Sequence, residues 1–318
     1  MRPGYPSPRA LLEKYGLRAK KSWGQNFLGD AGILSEIARL AAPGKGDLVV
    51  ELGAGLGHLT ARLAARDARV IAVERDRDMA AVLRGELGER VVLLEADAVK
   101  IDYGEILRAH GSSAPAEHPG PGLGPGLGDV SQTTSTSKSR ADKLAVVGNL
   151  PYHLTSPILF SLLDQAPRIA RAVFLLQREV AQRLAAAPGT HEWGILSVLL
   201  QREAEVSIER VVPPGAFLPP PKVESAVLVA LFRPPADEVR DQARFRRLVK
   251  AGFAQRRKTL ANALRAARID EPGRLAAAFE RAAVDPGRRG ETLTVSEWAA
   301  LERALATDDL QHSRAPTR

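Results

Sequence analysis

Strands and helices alternate through the first half of this chain, and that alternation narrows its possible folds more than any other feature. D-L-V-V-E-L (47–52) is a short apolar run ending at a glycine-rich turn, and H-L-T-A-R-L-A-A-R (58–66) follows with helical spacing. R-V-I-A-V-E (69–74) reads as a second strand, D-M-A-A-V-L-R-G-E-L (78–87) as a second helix, and R-V-V-L-L-E (90–95) as a third strand. K-L-A-V-V-G (143–148) is a fourth strand, P-I-L-F-S-L-L (157–163) a helix, and R-A-V-F-L-L (171–176) another strand. G-I-L-S-V-L-L-Q (194–201) and E-S-A-V-L-V-A-L-F (224–232) read as later strands. Near-continuous apolar strands separated by helices pair in parallel and are covered on both faces. The expected fold is α/β.

After R-P-P-A-D-E (233–238) the character changes. F-R-R-L-V-K-A-G-F-A-Q-R-R-K-T-L-A-N-A-L-R-A-A-R (245–268) reads as one basic amphipathic helix, with further helices at 274–282 and 294–305 and a frayed tail from 307. The expected domains are therefore residues 1–234, carrying the sheet, and 235–318, helical. Residues 111–142, rich in Gly, Pro, Ser and Thr, read as a low-complexity insertion too poor in apolar surface to fold alone.

Composition bounds the chemistry. The chain has no cysteine, which excludes disulfides, thiolate nucleophiles and cysteine zinc sites. Its six histidines show no paired spacing, so no metal is expected. M-R-P-G-Y-P-S-P-R-A lacks the apolar core of a secretory signal, and no run approaches a membrane span, so a cytoplasmic location is expected. A formal charge of +8 favours a polyanionic partner such as nucleic acid.

The turn E-L-G-A-G-L-G (51–57) lets backbone amides approach a ligand. Gly53 and Gly55 fit the dinucleotide fingerprint, but its last position is His58, which speaks against a nicotinamide cofactor. Glu74 ends the second strand, where an acid can bond ribose hydroxyls; Asp97 follows the third, where a carboxylate can accept from an exocyclic amine. Such a pocket suits a nucleoside without a pyrophosphate, as in S-adenosylmethionine. The fourth strand ends in N-L-P-Y (149–152). Asn149 and the carbonyl of Leu150 can accept both hydrogens of an adenine amine, Pro151 can stiffen the turn, and Tyr152 can stack on the base. A base must leave its stack to reach such a pocket.

These stretches resemble the ribosomal RNA adenine dimethyltransferases, the kasugamycin-sensitivity (KsgA/RsmA) family. The likeness is carried by K-K-S-W-G-Q-N-F-L (20–28), E-L-G-A-G-L-G (51–57), V-E-R-D (73–76), A-D-A (96–98), G-N-L-P-Y (148–152), L-Q-R-E-V-A-Q-R-L (176–184), V-P-P-G-A-F-L-P-P-P-K-V-E-S-A-V (212–227) and F-A-Q-R-R-K-T-L-A-N-A-L (253–264). It implies a Rossmann-like class I S-adenosylmethionine-dependent methyltransferase with a small C-terminal all-α domain. It also implies dimethylation of two adjacent adenosines near the 3′ end of small-subunit (16S) ribosomal RNA, with a part in ribosome biogenesis. By resemblance, Gln25, Asn26, Leu28, Gly53, Gly55, Glu74, Asp97 and Asn149 hold the methyl donor. Asn149, Leu150, Pro151 and Tyr152 form the catalytic turn, and Phe217 is a second stacking face. Arg256, Arg257, Lys258 and Lys222 are expected to contact RNA in the immature small subunit, and a monomer is expected.

The chain departs from the family at Ala54, where proline is usual, and at Ile195, where arginine is frequent. Other readings are an erythromycin-resistance methylase acting on large-subunit RNA and a non-catalytic RNA-binding factor. The F-L-P-P-P loop (217–221) disfavours the first, and the intact Asn149 and glycine turn the second.

Overall fold

The apolar runs of the first half become strands at the expected places. The computed structural model describes residues 4–20, 23–111 and 143–312. In it β1 (Phe27–Leu28) is followed by β2 (Leu48–Leu52), β3 (Arg69–Val73), β4 (Val92–Leu94) and β5 (Leu144–Asn149). Then come β6 (Ile169–Gln177), β7 (Ala204–Val212), β8 (Phe217–Leu218) and β9 (Ser225–Phe232). Helices Ala31–Ala41, His58–Ala64, Arg77–Leu87, Tyr103–His110 and Thr155–Asp164 stand between the strands of the first half. Asp30, Asp76 and Asp102 cap three of these by accepting first-turn backbone N–H groups.

Two compact units share the chain, Met1–Leu175 with Val212–Glu224, and Leu176–Val211 with Ser225–Arg318. In the first, strands β4, β3, β2, β5 and β6 lie side by side in that order, all parallel. Leu52 pairs with Val73 and Val73 with Leu94, so the carboxyl ends of neighbouring strands meet at one edge. Val49, Val50, Val146 and Val147 are wholly buried. Burying each such side chain contributes about 1.5–3 kcal/mol. A separate antiparallel pair joins β1 to β8, with Leu28 opposite Phe217.

The second unit holds β7, β9 and the later helices. Its core includes Trp193, Phe245, Leu248, Leu260, Leu264 and Trp298, and the Trp193 indole N–H donates to the Leu293 carbonyl. Residues 194–201 are not a strand: helix Ile195–Glu203 occupies them. An apolar run of this length suits either state. Here the Gly194 N–H is taken by the Ser197 hydroxyl, which starts a helix. That helix packs on Gln242–Ala254 and Val295–His312, so this unit reaches back across the sequence boundary at 234. Beyond Phe232 the described residues hold helices and no strand.

The single helix expected over 245–268 is two, Gln242–Ala254 and Leu260–Ala266. The break has a cause. Thr259 caps the second helix, while the Leu260 and Ala261 N–H groups bond Arg288 and Pro286 carbonyls instead of the preceding turn. The last helix runs to His312, past the expected fraying point. Of the insertion 111–142, residues 112–142 lie outside the described residues. Its attachment points, Gly111 and Lys143, line a cleft with Leu48 and Arg69 at the amino ends of the strands, the edge opposite Asn149.

In the glycine turn, Gly57 has φ 83°, and a Cβ there would stand 2.6 Å from the Tyr5 hydroxyl and 2.9 Å from a Leu83 methyl. The Tyr5 hydroxyl donates to the Leu56 carbonyl, so it cannot retreat without losing that bond. Gly53 also has positive φ (71°), but nothing lies within 4 Å of where its Cβ would be. Gly57→Ala should therefore lower unfolding free energy by about 2 kcal/mol or more, and Gly53→Ala by about 1 kcal/mol, in urea titrations of the two variants. Equal losses would show that packing at Gly57 costs nothing.

Candidate active site

Parallel pairing delivers the ends of β2, β3, β4 and β5 to one edge, and the site is built there. The turn after β2 is stitched to β3: the Gly53 and Ala54 N–H groups both donate to the Val73 carbonyl, at 2.9 and 3.2 Å. A proline at position 54 has no N–H and could not make the second bond. Two adjoining cavities open on this edge and share Trp23, Gly53, Glu74 and Pro151. Gln25, Asn26, Leu28, Gly55, Asn149, Leu150 and Tyr152 line the first, and Asp97 lines the second.

Each expected donor-holding residue thus lines one of two neighbouring cavities. Glu74 is buried, and its two oxygens accept the Gly55 N–H (2.8 Å) and the Asp76 N–H (2.7 Å). Each carboxylate oxygen retains a second lone pair for a hydroxyl. Burial pushes the Glu74 carboxyl above its ordinary pKa, and the two N–H groups oppose that. Asp97 accepts the Val99 N–H at 3.0 Å and pairs with the Arg75 guanidinium at 3.4 Å. Gln25 acts on the arm itself: its oxygen takes the Lys20 N–H and its nitrogen donates to Asp76, at 2.9 and 2.8 Å.

The turn Asn149–Tyr152 leaves β5 with the Leu150 N–H on the Leu175 carbonyl, and Tyr152 opens a short 3-10 turn, Tyr152–Leu154. The Asn149 Nδ2 donates to the Asn26 carbonyl at 2.8 Å. A carbonyl only accepts, so the amide must present its nitrogen there, which leaves Oδ1 to accept from a ligand.

Phe217 stands behind the wall of the first cavity, opposite Leu28. It is 6% exposed, pairs through its backbone with Leu28, and lines neither cavity. Lys222, Arg257 and Lys258 are exposed, but Arg256 is engaged, its guanidinium donating to Glu291 and to the His191 carbonyl. The segment Q-R-R-K-T is also not a helical face, for the reason given above.

Among the cavity residues that carried no assignment from sequence, Trp23 and Glu51 stand out. Trp23 stood inside the quoted arm motif, and Glu51 opens the glycine-turn motif. Glu51 is 2% exposed, lines the first cavity, and its Oε2 has no hydrogen-bond partner. Burial pushes its pKa from 4.5 to about 8, with a further push from Glu74. Such an unsatisfied acid costs stability and is a mark of a ligand site. Apolar periodicity could not reveal it, because Glu51 occupies a core position of a buried strand.

Nucleoside ligands bind at this edge of an open parallel sheet, and fold and site together make the chain a Rossmann-like, class I S-adenosylmethionine-dependent methyltransferase. Solved structures agree on the fold: a dimethyladenosine transferase from Plasmodium falciparum is similar at TM-score 0.65 and 20% identity, covering 89% of this chain and 98% of that one. The 23S rRNA methyltransferase ErmE is similar at TM-score 0.59 and 26% identity, covering 88% and 100%. The family model described as ribosomal RNA adenine dimethylase matches residues 16–306, and the chain belongs to that family. The ribosomal RNA small subunit methyltransferase A of Anaeromyxobacter sp. (strain K) is 68% identical over 301 residues, 95% of this chain and 98% of the relative.

Glu51 makes stability depend on pH in a definite sense. Its folded pKa lies above its unfolded one, so the stability it contributes is complete below about 4.5 and is lost as pH rises to about 8. Glu51→Gln removes that dependence. The urea unfolding free energy of the variant, relative to the parent, should rise between pH 5 and 8 by up to about 1.4 kcal/mol per pH unit. Parallel pH profiles would mean that folded Glu51 ionises normally.

Proposed function

We propose that this chain dimethylates two adjacent adenosines near the 3′ end of small-subunit ribosomal RNA, using S-adenosylmethionine, as a monomer acting on the immature subunit in the cytoplasm. The observation that carries the chemistry is the Asn149 amide, whose nitrogen is committed to the Asn26 carbonyl at 2.8 Å. Small-subunit RNA is favoured by the 68% identical relative, whose name specifies that subunit.

The residues present fit the methyl donor. Gly53 leaves open space at the cavity, Glu74 and Asp97 offer acceptors for hydroxyls and an amine, and the Glu51 Oε2 is buried and unmatched. When bound, the donor supplies an electrophilic methyl on a sulfonium. The protein's work is positioning and polarisation. The amine of adenine is a weak nucleophile because its lone pair is delocalised into the ring. Asn149 Oδ1 and the Leu150 carbonyl accept its two hydrogens, drawing the nitrogen toward tetrahedral geometry. Pro151 holds these acceptors together, and the Tyr152 ring offers a face to the flipped base. No strong base is required, since the proton leaves after the nitrogen has become cationic. Lys222, Arg257 and Lys258 are exposed cations suited to phosphates.

The test is methyl transfer from labelled S-adenosylmethionine to undermethylated small subunits, with large-subunit RNA and Asn149→Ala protein in parallel. Label should fall in two neighbouring small-subunit adenosines, and Asn149→Ala should lower the rate by about 100-fold or more, the loss seen when one oriented hydrogen-bonding group is removed from a reacting centre. Affinity for the RNA should fall with added salt. Label confined to large-subunit RNA would reject the substrate, and an undiminished rate in Asn149→Ala would reject the role of the turn.

A further inference from the structure

The second cavity carries an edge for a purine and also a face. Asp97 supplies an acceptor at its wall. A flat heterocycle recognised only along one edge can still tilt, and a stacked ring removes that freedom. The aromatic rings lining this cavity are Trp23 and His153. Trp23 is the larger, lines both cavities, and is 41% exposed.

Its ring is held in a specific way. The Lys20 ammonium and the Arg75 guanidinium lie 5.6 and 5.7 Å from its centroid, within range of a cation–π attraction. Both cations are themselves anchored: Lys20 pairs with Asp76 at 2.8 Å and Asp78 at 2.7 Å, and Arg75 with Asp97 at 3.4 Å. A chain of charges therefore runs from the acid at the cavity wall, through Arg75, to the indole, and on through Lys20 to Asp76 and Asp78 at the start of helix Arg77–Leu87. An exposed tryptophan held near two anchored cations at a cavity wall is a prepared surface, because less ordering is left for a ligand to impose.

We infer that Trp23, braced by Arg75 and Lys20, is the stacking face for the adenine of the methyl donor. The inference rests on the donor being S-adenosylmethionine, as proposed above. It gives the arm motif K-K-S-W-G-Q-N-F-L (20–28) two roles, since Asn26 orients the catalytic amide while Trp23 covers the donor.

The chain has three tryptophans, and Trp193 and Trp298 are both 0% exposed. Quenching of its emission by acrylamide therefore reports on Trp23. Saturation with S-adenosylhomocysteine should lower the quenching constant of the unaltered protein by at least about twofold, as the ring becomes covered. By calorimetry, Trp23→Ala should weaken S-adenosylhomocysteine about tenfold, the worth of one base–aromatic stack, while Trp23→Phe keeps affinity within about threefold of the parent. Equal affinity of Trp23→Ala and parent would overturn the inference and leave the donor intact. Protection from acrylamide by small-subunit RNA but not by S-adenosylhomocysteine would assign the ring to RNA and overturn it as well. No binding of S-adenosylhomocysteine to the parent would overturn both this inference and the donor on which it rests.

Discussion

Everything at the site depends on parallel pairing about β2. That strand pairs with β3 on one side and β5 on the other, in parallel, so all three point their carboxyl ends the same way. The residues at those ends, Gly53, Glu74 and Asn149, are distant in sequence and neighbours in space because the backbone ladder makes them so. The ladder also extends into the turn. The Val73 carbonyl receives two N–H groups from the glycine turn, and Glu74, the next residue, receives a third from Gly55. A loop that would otherwise be conformationally costly is thereby held open at Gly53 and closed at Gly57.

The N-terminal arm is the second dependency. It reaches the site through the β1–β8 pair, where Leu28 lies opposite Phe217. This accounts for the burial of Phe217: its strand anchors the arm. Gln25 and Lys20 then tie the arm to Asp76, and Asp76 also caps the following helix. The arm delivers one backbone carbonyl to Asn149, and that single contact decides which end of the amide is left for a substrate. A rigid backbone acceptor orients such a group well, since the carbonyl has no alternative role as a donor.

The site carries strains that a purely structural core would avoid. Glu51 and Glu74 are both buried acids raised above their ordinary pKa by desolvation, and the charge of Glu74 adds to the push on Glu51. Backbone N–H groups offset part of this for Glu74, whereas Glu51 leaves an oxygen unmatched. Conflicts of this kind between local chemistry and burial concentrate where a ligand completes the arrangement.

Much of this was legible in the sequence. The continuous apolar runs at 47–52, 69–74 and 143–148 determined parallel strands, because only a sheet covered on both faces buries such runs. The glycine turn, Glu74, Asp97 and N-L-P-Y could be assigned to one edge, because each stands at or just after the end of a strand. Short-range pattern failed where tertiary contacts chose between states of similar local energy. The run 194–201 became a helix through the Ser197 cap, and the basic stretch 245–268 broke where Leu260 and Ala261 found carbonyls of a distant loop. Side-chain partners were equally out of reach: no spacing rule tells that Arg256 is held by Glu291, that Phe217 pairs with Leu28, or that Trp23 lies beside two anchored cations. Sequence alone determined which strands exist and what chemistry stands at their ends, because periodicity and turn residues are local. Only the tertiary structure decided which of those groups meet and which way the Asn149 amide faces, because hydrogen bonds between residues more than a hundred positions apart are set by packing.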